Sequence, residues 1–340
     1  MAWYHMTGQD QDVVLYTDVR LARNLQNYPF THRLDAVGAQ EIIAAVGGVL
    51  EGNGFCKTDF ADISRAEAYS LVERQYASLS FVKKSLPHVL YLNEPCSMSA
   101  MLCEEDHVNL QCILAGRASA EAYASVSRVE GQLDERLDIA FSKGCGYLSP
   151  IPMNVGTGLQ VSFLLCLPAM VSAGRIGELT EDLLRMGITL RAVREESGHP
   201  TGSLFHLSYR PTGGMSEEDA LAWAEGLLLT IVSEERGLRN AGDRSATDYR
   251  TDRIMRAIGT LRYATLLGTP ELMDLLAEVR LGICTGILSD IRMETLTALL
   301  IEALPATLSM GTEPIPATPH ARAQARAARV RERMFADTTA

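Results

Sequence analysis

Gly146-Tyr147-Leu148-Ser149-Pro150-Ile151-Pro152-Met153-Asn154-Val155-Gly156-Thr157-Gly158-Leu159-Gln160-Val161-Ser162-Phe163-Leu164-Leu165-Cys166-Leu167-Pro168 is the stretch on which the fold turns. Its centre, NVGTGL, is a loop of small residues. Two glycines around a threonine let the backbone turn tightly and bring N–H groups close to an anion, which suits a phosphate site. Beyond the loop Val161, Phe163, Leu165 and Leu167 alternate with Gln160, Ser162, Leu164 and Cys166, the period of a half-buried strand. The loop therefore enters a strand. A P-loop needs Gly-Lys-Ser/Thr opening a helix and a dinucleotide fingerprint needs GxGxxG opening one, so neither nucleotide motif fits. A phosphate bound here belongs to a different fold.

Working outward, 340 residues with 47% hydrophobic content describe a globular chain with one large core or two unequal ones. The first residues, MAWYHMTGQDQD, have neither a basic start nor an apolar core, and no apolar run approaches membrane-spanning length. The expectation is no signal peptide, no membrane span and a cytoplasmic location. Seven cysteines without a CxxC pair argue against a zinc site and a disulfide framework, so reduced thiols and no metal are expected. A formal charge of −11 disfavours direct nucleic-acid binding. The arginines at 322, 326, 329, 331 and 333 form one local basic cluster, read as a solvated helix end or a binding surface.

Along the chain, VVLY (13–16) continues with period two through Asp18 and Arg20, which share a strand face. Helical patterns cover 35–50, with Asp35 as cap, and 64–77, opened by a Ser64 to Glu67 capping box. A strand over 87–92 and a loosely alternating stretch 96–103 run into Glu104-Glu105-Asp106-His107. A helix follows over 119–143, then the opening stretch, a helix over 170–186 and a hairpin of 188–193 with 203–209. Ser216 caps a long helix, 240–250 reads as a polar linker, and helices fill 251–267, 270–279 and 293–303. Residues 311–320 read as extended, and a final helix covers 321–335. The expected architecture is an α+β domain over 1–240 and a helical domain over 241–340.

Several stretches together resemble the phosphagen kinase (ATP:guanido phosphotransferase) family, specifically its bacterial protein-arginine kinase (McsB) branch. They are residues 13–30 (VVLYTDVRLARNLQNYPF), 104–111 (EEDHVNLQ), 137–171 (LDIAFSKGCGYLSPIPMNVGTGLQVSFLLCLPAMV), 216–224 (SEEDALAWA) and 252–283 (DRIMRAIGTLRYATLLGTPELMDLLAEVRLGI). They follow the family's order and cover nearly the whole chain. The resemblance implies an antiparallel, guanido-kinase-like sheet flanked by helices, an ATP site with Mg²⁺, and a helical C-terminal domain that forms a homodimer. It implies in-line transfer of the γ-phosphoryl group to an arginine of a partner protein. Such chemistry asks for carboxylates on the guanidinium and arginines around the triphosphate.

Carried across, the resemblance gives Glu105 the guanidinium grip and Glu196 the second carboxylate. His107 belongs to the same EEDH signature, in a structural or a chemical role. Asn154, Gly156, Thr157 and Gly158 form the loop beside the triphosphate. The phosphate-binding arginines depart from the family pattern. Its strand reads Ser-Ser-Arg-x-Arg, and Asp18 stands at the first arginine of Tyr16-Thr17-Asp18-Val19-Arg20. Asn109 and Gln160 stand at two further arginine positions, leaving Arg20 and Arg194 of the family's five. Ile151 replaces the cysteine common before the loop. The Arg-Asp-x-x-Arg-Ala motif of a phosphoarginine pocket becomes Arg322-Ala323-Gln324-Ala325-Arg326-Ala327, with both arginines kept and the aspartate lost.

A charge-assisted hydrogen bond contributes about 1.5–3 kcal/mol, so three lost arginines remove roughly 5–9 kcal/mol if additive, on the order of 10³ to 10⁶ in nucleotide binding and rate. Asp18 adds a negative charge unless Arg20 or Arg194 pairs with it. Two functions compete. One is a divergent arginine kinase with impaired ATP-dependent turnover. The other is a pseudokinase that regulates or scaffolds an active relative or a stress-response protease system. A small-guanidino-compound kinase fits less well, because the helical C-terminal domain belongs to the branch acting on proteins.

Overall fold

We describe the chain from a computed structural model, over residues 2–93, 97–194, 200–211, 214–241, 244–311 and 318–336. An eight-stranded sheet in the order β2-β3-β4-β5-β1-β8-β10-β9 organises it. The strands are β1 (Val14–Arg23), β2 (Cys56–Asp59), β3 (Val89–Asn93), β4 (Met98–Leu102), β5 (Val108–Ala115), β8 (Leu159–Cys166), β9 (Ile188–Arg194) and β10 (Pro200–Tyr209). Every pairing in this sheet is antiparallel. A small hairpin, β6 (Phe141–Ser142) with β7 (Gly146–Tyr147), precedes the glycine loop.

Alternation along the strands builds two cores. On one face Val19, Leu21, Leu110, Cys112, Val161 and Phe163 pack against α1 (Ala36–Glu51), α4 (Ser119–Asp134) and α7 (Glu217–Asn240). On the other, Tyr16, Ile113, Leu164 and Leu204 pack against α8 (Arg244–Tyr263), α9 (Thr269–Cys284), α10 (Met293–Glu302) and α12 (Pro319–Phe335). That second face changes character along its length. Past Tyr16, Ile113, Leu164 and Leu204 the same strands present Asp18 and Arg20, Gln111 and Asn109, Ser162 and Gln160, and His206 and Ser208. Period two keeps these polar residues on one surface, which becomes the floor of the site.

The local signals hold where side chains cap helices. Asp35 accepts from Gly38 N–H, and the Ser64–Glu67 capping box opens α2 (Arg65–Glu73). Three expectations change. The helix over 119–143 stops at Asp134, because the chain leaves to pair Ile139 with Leu25 and to form the hairpin. The helix over 170–186 is two, α5 (Pro168–Ser172) and α6 (Ile176–Arg185), broken at Gly174 with φ +68°. The polar linker 240–250 is largely the exposed first turns of α8. Its polarity reflects solvent exposure. The short helices α3 (Leu79–Val82) and α11 (Pro305–Met310) carry no periodicity long enough to read. Most of 311–320 lies outside the described residues. Among them, no helix is long and apolar enough to cross a membrane.

Candidate functional site

The site begins with strand register. Arg20 of β1 lies opposite Gln160 of β8 on one side and Gln111 of β5 on the other, and Asn109 lies opposite Ala22. These residues, the β4–β5 turn and the glycine loop enclose a cavity of about 180 Å³ lined by Arg20, Ser78, Glu104, Asn109, Gln160 and Arg210, among others. Glu105, Asn154 and Gly158 also reach it. A wider cleft of about 860 Å³, bounded by Thr31, Leu34, Pro87 and Ile151, shares Glu104 and Glu105 with it. Glu105 is exposed where the two meet.

The turn that carries Glu105 is rigid. Asp106, 1% exposed, accepts from Asn24 Nδ2 and Ser149 Oγ at 2.6 Å each and from Asn154 Nδ2 at 2.7 Å. Asn24 Oδ1 in turn accepts the His107 N–H at 3.0 Å. His107 is fully buried. Its Nδ1 accepts the Leu25 N–H, and its Nε2–H donates to the Pro29 carbonyl, both at 3.0 Å. Those partners define the neutral Nε2–H tautomer, and burial holds the pKa below the usual histidine value. Both ring nitrogens are committed to backbone, so His107 braces the turn and does not reach the cavity.

The glycine loop docks on β1 through backbone. Ala22 N–H donates to the Gly158 carbonyl at 2.9 Å, and Arg23 Nη1 donates to the Thr157 carbonyl at 2.8 Å. A Cβ on Gly158 would stand 2.6 Å from the Ala22 carbonyl oxygen, and φ there is +62°. This glycine is required by chain-on-chain contact, a different reason from anion approach. Arg23 is 1% exposed and donates to Glu130 at 2.9 Å, with its guanidinium 3.5 Å from the Tyr147 ring centroid. Gly156 and Thr157 are held by the hairpin and by Arg23, and neither lines the cavity.

At the other end the positions expected to meet phosphate bind one another. Arg20 Nε donates to Asp18 Oδ2 at 2.9 Å. Burial pushes the Asp18 carboxyl up, and Arg20 pulls it back. Asn109 Nδ2 donates to Glu104 Oε2 at 3.4 Å, while Ser80 donates to Glu104 Oε1 at 3.1 Å and Ser78 joins it there. Glu104 is buried, and Lys84 Nζ donates to its backbone carbonyl. Beside Gln160, where the resemblance implies an arginine, stands Arg210. Its Nε donates to Gln160 Oε1 at 2.9 Å and its Nη1 to Asn154 Oδ1 at 3.2 Å. Burial lowers the Arg210 pKa, and Glu105 opposes this.

Arg194 closes β9 opposite Pro200, and Glu196 lies outside the described residues. Arg322 sits in the first turn of α12, and Arg326, 3% exposed, donates to the Ala303 and Leu267 carbonyls at 2.8 Å each. Arg326 thereby pins α12 to the end of α10 and the start of α9. Sequence reasoning missed Arg210, although it continues the face of His206 and Ser208 by the same period of two. It also missed Ser78, Ser80 and the ligand-like placement of Glu104, for which no spacing signal exists. Among the described residues no cluster of metal-ligating side chains occurs.

Residues 40–238 match the ATP:guanido phosphotransferase C-terminal catalytic domain, and 248–340 match the C-terminal domain of protein-arginine kinase McsB. A protein-arginine kinase of Desulforamulus reducens is 32% identical over 98% of this chain and 95% of its own length. That of Symbiobacterium thermophilum is 33% identical over 90% and 89%. Among solved structures, the duplicated taurocyamine kinase of Schistosoma mansoni with bound transition-state-analogue components superposes with a TM-score of 0.62 at 18% identity. It covers 79% of this chain and 41% of that one. A lombricine kinase superposes at 0.58 with 16% identity over 67% of each chain. These two show the antiparallel fold, and the near full-length relatives carry the closer assignment: the chain belongs to the ATP:guanido phosphotransferase family, in its protein-arginine kinase branch.

Proposed function

We propose that this chain is a protein-arginine kinase relative with impaired ATP-dependent phosphoryl transfer, acting chiefly by binding a partner protein, as a regulatory or scaffold subunit of an active kinase or a protease system. The observation that carries the reading is that the groups that should face a triphosphate bind one another, while Asp18 Oδ1 and Asn109 Oδ1 stay buried without a hydrogen-bond partner among the described residues. Asp18 takes Arg20, and Asn109 serves Glu104. Around the cavity Arg20 and Arg210 stand against Glu104 and Glu105, with Asp18 behind Arg20. MgATP, when bound to a relative, supplies the phosphoryl group. Among the described residues a polyanion here meets at least as many carboxylates as guanidiniums, and like charges about 4 Å apart repel by roughly 4 kcal/mol at an effective dielectric of 20. The residues present do not fit that group, and we derive no transfer step through it.

Arg210 favours a second reading. It returns one cation to the place left by Gln160, so residual kinase activity is the competing outcome. Calorimetry with MgATP on the unmodified chain and on Asp18→Arg/Asn109→Arg/Gln160→Arg separates the two. We expect weak binding by the unmodified chain, with Kd about 1 mM or above, and at least a tenfold gain on restoration. Binding near about 10 μM by the unmodified chain, with phosphate transfer to a protein arginine, would sink the regulatory reading.

A further inference from the structure

The chain has four lysines, and three of them, Lys57, Lys83 and Lys84, line one open groove together with Arg65. The groove encloses about 1170 Å³ between α1, β2, α2 and the segment before β3. Ile43, Phe60, Ile63 and Leu86 give its lining an apolar part. Lys84 turns its ammonium to the Glu104 carbonyl, which leaves Lys57, Arg65 and Lys83 facing two acids. Glu51 accepts the Tyr91 hydroxyl at 3.1 Å, and Asp59 lies 3.7 Å from Lys57. The groove is thus net cationic in a chain of formal charge −11. Residues 84–87 form one of its walls and also a wall of the cleft that leads to Glu105. Groove, cleft and inner cavity are successive spaces along one surface.

We propose that this groove docks an extended acidic segment of a client protein whose neighbouring arginine enters the cleft at Glu105. The proposal rests on the reading of Glu105 as the site's guanidinium-binding group. Size and composition favour a polypeptide: the groove exceeds the roughly 300–1,000 Å³ of small-molecule pockets, and its lining mixes apolar residues with charged ones. Lys57 and Asp59 lie on β2, the outermost strand of the sheet, and extended peptides are commonly captured along such edges. Lys57, Arg65 and Lys83 are exposed, so their charges select partners more than they add raw affinity. Nucleic acid fits less well, since a small local excess of cations stands within a strongly acidic chain.

The test is fluorescence anisotropy on the full chain with labelled peptides that carry one arginine beside an aspartate-rich, a serine-rich or a lysine-rich flank. A fourth peptide has the aspartate flank with alanine in place of arginine. The aspartate-flanked arginine peptide is expected to bind about tenfold tighter than the serine-flanked one, an advantage that shrinks with added salt. In Lys57→Glu/Lys83→Glu, whose exposed positions leave the fold intact, the order is expected to reverse in favour of the lysine flank. Lys83→Gln is expected to give part of the loss. Equal binding of aspartate- and serine-flanked peptides, or an order unchanged by the reversal, overturns the groove and leaves the arginine reading standing. Equal binding of the arginine and alanine versions with the aspartate flank keeps the groove and overturns the arginine reading. Binding of none of the four overturns both.

Discussion

Glu104 and Asp106 sit two residues apart on one turn, both buried, and do opposite things. Asp106 draws its donors from the end of β1 and from the glycine loop, through Asn24, Ser149 and Asn154. It ties remote segments together and fixes where Glu105 stands. Glu104 draws on Ser78, Ser80 and Asn109. These hydrogen-bond partners are neutral, and they hold a carboxylate at the cavity where, on the proposed reading, a triphosphate would need cations. Satisfying hydrogen bonds is a local matter that many residue combinations achieve. Matching a ligand's charge is not, so a fold can persist while half of its site is rewired.

The largest effect is expected from Asp106→Ala. Removing the carboxylate strands three donors and should destabilise the chain by about 4 kcal/mol in urea denaturation. A loss below about 1 kcal/mol would mean that Asp106 is not the scaffold of the turn and would erase the contrast with Glu104. Next, Glu104→Gln keeps the acceptor for the serines and removes the charge. It should leave stability nearly unchanged and tighten MgATP binding about tenfold by calorimetry. No gain would show that Glu104 does not oppose the nucleotide. A smaller change, under about threefold in MgATP affinity, is expected of Gln160→Arg alone, because Arg210 already occupies the neighbouring space and the two guanidiniums repel. A large gain would deny Arg210 its compensating place.

The smallest effect is a pH dependence from the braced end. Burial keeps His107 below its ordinary pKa of 6.5, and a proton on Nδ1 would point at the Leu25 N–H that it now accepts. Burial raises the Asp18 and Glu73 carboxyls, which works the other way at low pH. Below about pH 6.5, however, His107 binds more protons in the unfolded chain than in the folded one, so this histidine's contribution to stability falls as the pH drops. His5 and His206 are shifted the same way by burial. Thermal melts from pH 7 to pH 5 should show the decline, and His107→Gln should flatten part of it. An unchanged slope would place the titration on the other two histidines.

How much of this was legible depended on whether a residue acts through its neighbours in sequence. The strand after NVGTGL, the Asp35 cap and the Ser64 capping box are local, and each stands where its pattern placed it. That Asp18, Asn109 and Gln160 stand where the resemblance implies arginines was also legible, because they lie in recognisable stretches. What replaced them was not. Arg210 reaches Gln160 across a strand pair, and Ser78 reaches Glu104 from a separate helix start. The helical turns from Ser245 to Tyr249 were hidden for a different reason: they are exposed, so no apolar period marks them.

The second core joins Trp3, Tyr16, Ile113 and Leu164 to Leu272, Leu276, Leu296 and Val330. Arg280, fully buried, reaches from α9 to the Gln11 carbonyl just ahead of β1. A fragment ending near residue 240 would therefore expose the greasy back of its own sheet to water. Anyone trimming this chain to a minimal unit would find the helical third acting as an internal chaperone for the strands, and its loss would be read first as aggregation in the expression host.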